Sequence, residues 1–244
     1  MVDVYQAVTF TLWLCGCNLK CPFCHNWKIA TWSKDLCRII NEEKLLNELE
    51  SARLFIDYLH ITGGEPLIQW RNLIEFLRKV KENIGVPISI NSNLTLFKPL
   101  EKILEKDLVD HIATDIKIPP ELLYGFNVDT SMKLWRLFIK SLKLVVLHNI
   151  PLELRIPVAR NISLRYMEKY IDEVLSVLGS YDNYYFIIQP LLGHPITSPR
   201  DSKWCSEYCN PLNTTLDNIA KILRSRGIDK ISIKYVVEEL KQVA

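Results

Sequence analysis

The chain has 244 residues, 48% of them hydrophobic and 24% charged, with a formal net charge of +2. That length suffices for one domain with a full core, and α/β barrels of this size are often single domains. Balanced charge disfavours nucleic acid as a partner. No run approaches the roughly 18 apolar residues of a membrane span, and the start MVDVYQAVTF lacks a basic signal-peptide region, so a cytoplasmic protein with no membrane partner is expected.

The predicted elements alternate along the chain. A β-branched apolar stretch at 8–14 reads as a strand, and a cysteine-bearing loop follows it. Residues 41–55 carry a capping Asn41, early acids and apolar residues at helical spacing. A short strand at 58–64 ends in glycines. A helix at 71–83, a strand at 86–93, a helix at 99–107 and a strand at 111–117 come next. Then follow a helix at 131–149, a strand at 150–158, a helix at 164–179 and a strand at 184–191. The end reads as one more helix and strand, at 216–227 and 228–236. Apolar strands separated by helices predict a parallel sheet buried on both faces. Right-handed crossovers then curl it into a partial parallel (β/α)6 TIM-like barrel, with its active face at the strands' C-terminal ends. One domain over residues 1–244 is expected.

The unusual residues fall at those strand ends. CNLKCPFCHN, at 17–26, places Cys17, Cys21 and Cys24 at spacings of four and three. A zinc finger or ribbon would need a second Cys/His pair at comparable spacing. Three thiolates without a fourth partner point to a centre with one position open, and their softness suits an iron–sulfur cluster. Three buried free thiols are the plainer alternative. TGGEP, NSN, DIK, RIP and QPLLGH close the next five strands. Asp115 and Lys117, two apart, share one face of their strand. An inward lysine needs an anion, either that of a ligand or Asp115 itself. Arg155 is in the same position, facing a ligand or pairing with Glu153.

CxxxCxxC after a first strand and GGE after a second resemble the radical S-adenosylmethionine (SAM) superfamily. The resemblance implies a [4Fe–4S] cluster on Cys17, Cys21 and Cys24, with SAM chelating the remaining iron. It implies one-electron cleavage of SAM to a 5′-deoxyadenosyl radical that abstracts hydrogen from a partner. It places Phe23 against the cluster or adenine, and Gly63, Gly64 and Glu65 at the SAM amino group. Asn91, Ser92 and Asn93 match a family stretch usually reading Thr-Asn-Gly, with Leu94 in place of the glycine; its contacts are to ribose and methionine. Asp115, Lys117, Arg155 and His194 complete the implied cofactor-binding set, while ordinary packing or salt bridging remains open for each.

GCNLKCPFCHN, including His25 and Asn26, looks most like the glycyl radical enzyme activases, those of anaerobic ribonucleotide reductase and pyruvate formate-lyase. This implies a glycyl radical enzyme as protein partner and a ferredoxin or flavodoxin as electron donor. The chain departs from that branch in carrying Asp3-Val4-Tyr5-Gln6 where a Pro-Gly pair is usual. The alternative is a small-molecule enzyme similar to 7-carboxy-7-deazaguanine synthase, which usually has Asp-Thr after the last cysteine. A tRNA-modifying enzyme ranks below both for want of a basic surface. Four cysteines remain. In a reducing cytosol they read as thiols or ligands, but few glycines and abundant Ile, Leu, Lys and Glu hint at a thermophile, where disulfides persist. Cys205 and Cys209 would share a helix face. With Cys37 they leave an auxiliary metal site, a disulfide to Cys37 or buried thiols open, and a single cluster is expected. On a continuing strand Cys15 would point to the same side as Cys17.

Overall fold

The computed structural model describes residues 4–235. Its strands are β1 (Thr9–Leu14), β2 (Tyr58–Gly63), β3 (Ile88–Asn91), β4 (His111–Asp115), β5 (Leu152–Val158), β6 (Tyr184–Pro190) and β7 (Ile231–Ile233). The helices are α1 (Trp27–Ala30), α2 (Glu42–Ala52), α3 (Trp70–Asn83), α4 (Phe97–Leu104) and α5 (Pro120–Leu123). They continue with α6 (Val128–Leu147), α7 (Leu164–Leu178), α8 (Ser202–Tyr208) and α9 (Asn213–Ser225). All seven strands pair in parallel, in the order β1 to β7, giving the parallel α/β sheet expected, with the last strand, read at 228–236, adding a seventh member at Ile231–Ile233.

Local chemistry sets the boundaries. Asn41 accepts from Lys44 N and starts α2; Asn127 accepts from Thr130 N and starts α6 three residues before the apolar pattern begins. β3 stops at Asn91 because Ser92 and Asn93 turn away to meet a carboxylate on the neighbouring strand end. The short helices α1, α5 and α8 carry too few residues for a visible periodicity. Every residue of β5 is buried, as two covered faces require. Leu73, Leu77 and Val80 of α3 and Trp135, Phe138 and Leu142 of α6 are among the residues that close the outer layer.

The inner face is more polar than the strand sequences suggest. Thr11, His60, Ser89 and His111 lie side by side in register across β1 to β4. Ser89 Oγ bridges His60 Nδ1 at 2.9 Å and His111 Nδ1 at 2.8 Å, all buried. On β5, Glu153 accepts from Arg155 Nε, from Tyr185 OH and from Tyr5 N, the last at 2.9 Å. Burial alone would raise the Glu153 carboxyl, but Arg155 and these donors hold it below the usual range. Burial pushes His111 down to about 4, Glu153 pulling upward and Arg155 adding to the fall.

Candidate functional site

β1 ends at Leu14, and the chain leaves the sheet there in a loop carrying the three spaced cysteines. The glycines that end β2 let this loop lie close. Gly63 adopts φ +118°, and a Cβ on it would stand 2.2 Å from Leu14 O; a Cβ on Gly64 would stand 2.0 Å from Gly16 O. With neither Cβ in the way, Gly64 N donates to Leu14 O at 2.9 Å and Glu65 N to Gly16 O at 2.7 Å. The GGE stretch therefore fastens the second strand end to the cysteine loop.

Glu65 is fully buried and saturated by protein donors. Its Oε1 accepts from Leu67 N at 3.0 Å and Ser92 Oγ at 2.9 Å, and its Oε2 from Asn93 N at 2.7 Å. Burial pushes this carboxyl upward, and the three hydrogen bonds oppose the rise. The carboxylate thus braces the turn after β3. Asn93 carries the brace onward, its Nδ2 donating to Asn18 Oδ1 at 2.9 Å and lying 3.9 Å from Cys17 Sγ. Leu94, where the family has glycine, adopts φ +56° all the same, with its side chain wholly buried. Asn91 points back to β2, donating to Thr62 Oγ1 at 3.1 Å.

Cys17, Cys21 and Cys24 are free thiols, and the other four cysteines are paired with one another. Burial pushes Cys17 up to about 11 and Cys21 to about 12, and raises Cys24 as well. The positive charge of Lys117 opposes the rise at all three, which places this lysine beside the whole set. Lys117 Nζ donates to Asp115 Oδ2 at 2.9 Å, so the anion it meets here is Asp115. Burial alone would raise Asp115, but Lys117 and then Arg155 hold it low, while its Oδ1 stays buried with no donor. Arg155 likewise pairs with Glu153.

The remaining expected residues divide. Phe23 packs where Cys205, Cys209 and Leu191 form a small apolar cluster, 6.2 Å from the Trp204 ring. His194 is exposed in the loop after β6, where its carbonyl accepts from Asn210 Nδ2 at 3.4 Å. Cys15 does not join Cys17: it is bonded to Cys37, while Cys205 is bonded to Cys209 across one turn of α8. Cys37 is thereby unavailable as a third ligand for Cys205 and Cys209, and the auxiliary site loses its donors. Sequence reasoning missed Asn18, whose only signal was its place next to Cys17.

The donor set fits an iron–sulfur cluster. Three thiols stand free beside a lysine and an orphaned carboxylate oxygen. Among the described residues no three His, Cys, Asp or Glu side chains converge tightly enough for a single metal ion. Soft thiolates suit an iron–sulfur cluster, and three of them leave one iron of a four-iron cube open to another ligand.

The sequence pattern of the radical SAM superfamily matches residues 12–174. A putative glycyl-radical enzyme activating enzyme of Methanocaldococcus jannaschii is 35% identical over 116 residues, 48% of this chain and 46% of that protein. A 7-carboxy-7-deazaguanine synthase of Hyperthermus butylicus is 36% identical over 86 residues, 35% of this chain and 34% of that protein. The matches thus span less than half the length of these curated relatives. In fold, the chain is similar to Streptococcus suis SuiB, with a TM-score of 0.62 at 14% identity, over 94% of this chain and 50% of that one. No helix among the described residues is long and apolar enough to cross a membrane. Strand order, free thiols and matched sequence agree: the chain belongs to the radical SAM superfamily.

Proposed function

We infer that this chain is an activase that uses a [4Fe–4S] cluster and SAM to take a hydrogen atom from a glycine of a partner enzyme. Superfamily membership implies the two cofactors. Bound here, they supply one electron and the oxidising radical chemistry of the family. The observation that carries the reading is the segregation of seven cysteines into two disulfides and one free trio, with Lys117 beside that trio.

The chain's own residues have distinct tasks. Cys17, Cys21 and Cys24 would hold the iron as thiolates; burial favours their protonated forms, so binding the cluster would displace those protons. Lys117 supplies a cation for the SAM carboxylate, and Asp115 orients it through the 2.9 Å bond. Glu65 fixes the 92–93 turn, and Asn93 shapes the wall beside Cys17. Phe23 covers the loop between the second and third ligands.

Two features favour a protein substrate. The M. jannaschii relative carries an activating-enzyme name and matches nearly half of this chain. The sheet runs from β1 to β7 without the two edges pairing among the described residues, an unclosed arrangement compatible with a peptide substrate. The deazaguanine synthase reading rests on the H. butylicus match, but His25 and Asn26 stand where those enzymes usually have Asp-Thr. The test is anaerobic incubation with reductant, SAM and a glycyl radical enzyme from the same source. A glycyl radical signal in the partner by electron paramagnetic resonance (EPR), absent without SAM, supports the activase. SAM cleavage with no such signal, together with turnover of a pterin, would replace it with the alternative. A ferredoxin- or flavodoxin-type donor should substitute for the chemical reductant.

A further inference from the structure

Arg200 lies beyond the matched residues 12–174, in the turn before α8. Three contacts fasten this turn to the cysteine loop. Arg200 N donates to Cys24 O at 3.0 Å, Asp201 N to Pro22 O at 2.9 Å, and Arg200 Nη1 to Leu19 O at 3.4 Å. α8 holds the turn in place. Asp201 Oδ1 caps the helix by accepting from Trp204 N at 2.9 Å. The far end is clamped by Arg160 N donating to Tyr208 O at 2.8 Å and Asn161 Nδ2 to Glu207 O at 2.9 Å. The Cys205–Cys209 disulfide ties the same turn of helix.

These contacts engage backbone carbonyls only. Arg200 Nε is buried with no acceptor, and no ion pair to Arg200 forms among the described residues. A buried charged N–H without an acceptor is costly, and a fold that over-determines its position calls for an anion. The two cations near the trio differ in this respect, since Lys117 is offset by Asp115 at 2.9 Å and Arg200 is not.

We propose that Arg200 sets the reduction potential of the cluster held by Cys17, Cys21 and Cys24, by fixing an uncompensated positive charge beside the cysteine loop at Cys24. The proposal rests on the cluster assignment above. Reducing the cluster adds one negative charge to it, so a fixed neighbouring cation stabilises the reduced form more than the oxidised form and makes the potential less negative. Arg200 is in this sense a positioning residue that acts through the cluster.

The experiment is an EPR-monitored redox titration of anaerobically reconstituted wild type, R200Q and R200K, with iron content measured on each. R200Q should keep its iron and titrate at a more negative potential, beyond the scatter of replicate titrations. R200K, which keeps the charge, should stay within that scatter. An R200Q protein with full iron and the wild-type potential would overturn the proposal and reduce Arg200 to a loop fastener. Should R200Q fail to hold iron, R200M takes its place as the neutral variant: a negative shift supports the charge, and the wild-type potential refutes it. A wild type that binds no cluster would instead refute the cofactor assignment, a separate result.

Discussion

Glu65 offers the sharpest separation between a brace and a cofactor contact. Its carboxylate satisfies three buried donors, Leu67 N, Ser92 Oγ and Asn93 N, at 2.7 to 3.0 Å. Glu65→Ala strands all three and opens a cavity. At about 1–3 kcal/mol for each of three unsatisfied groups, the loss is about 3–9 kcal/mol before the cavity is counted. That is a large part of the roughly 5–15 kcal/mol of an ordinary domain. Glu65→Gln is subtler. The amide oxygen can serve Leu67 N and Ser92 Oγ, but the amide nitrogen then faces Asn93 N–H, and two donors oppose one another. Removing a buried carboxylate whose pKa is raised by burial offsets part of this, so the expected net loss is about 2 kcal/mol. Urea unfolding of the iron-free protein, followed by far-UV circular dichroism, reads it directly. With an m-value of about 2–3 kcal/mol/M, the midpoint should fall by about 1 M. Unchanged midpoints in both variants, with a selective loss of SAM binding, would show that Glu65 faces the cofactor and would refute the brace.

Leu94→Gly relieves a left-handed residue at φ +56°, about 1 kcal/mol, but deletes a wholly buried side chain worth about 2–5 kcal/mol. The variant should unfold about 1–4 kcal/mol more easily by the same assay, and a gain in stability would show that strain dominates. For His111 the folded imidazole titrates at about 4 against 6.5 when unexposed to the fold. The unfolded chain therefore binds a proton that the folded chain refuses, and stability falls as pH drops from 6.5 towards 4, by about 3 kcal/mol in full. His111→Gln should flatten that stretch of the stability–pH curve, and an unaltered slope would contradict it. Lys117→Met should leave the iron content intact and weaken SAM binding, measured by equilibrium dialysis, by about 1.5–3 kcal/mol. Unchanged affinity with a lowered melting temperature would confine Lys117 to its ion pair with Asp115.

The strand ends were legible because a parallel sheet gathers them at one face whatever its exact curvature. That is why Cys17, Gly63, Glu65 and Asn93, far apart in sequence, read as one group from their places at strand ends. Roles were harder to read than places. Nothing in TGGEP says that Glu65 would spend its whole carboxylate on the turn after β3, since that requires the register of β2 against β3. The polar inner layer was hidden for a related reason. In YLHITG, ISIN and HIATD the alternation assigns His60, Ser89 and His111 a face, but only the pairing register sets them side by side. Cysteine pairing depends on where a loop returns, so the bond between Cys15 and Cys37 was not readable from spacing. Arg200 gave no signal at all, because SPRD reads as an ordinary loop and its partners lie some hundred and eighty residues earlier.

The most direct test of the central claim is the yield of 5′-deoxyadenosine, with iron analysis, from anaerobically reconstituted wild type and from Cys17→Ala, Cys21→Ala and Cys24→Ala given SAM and a strong reductant. The wild type should bind about four irons per chain and cleave SAM. Each variant should lose both properties while keeping the wild-type circular dichroism spectrum. A Cys205→Ala/Cys209→Ala double variant should retain the iron count, because its sulfurs are paired away from the trio. SAM cleavage that survives removal of all three free cysteines together would contradict the account.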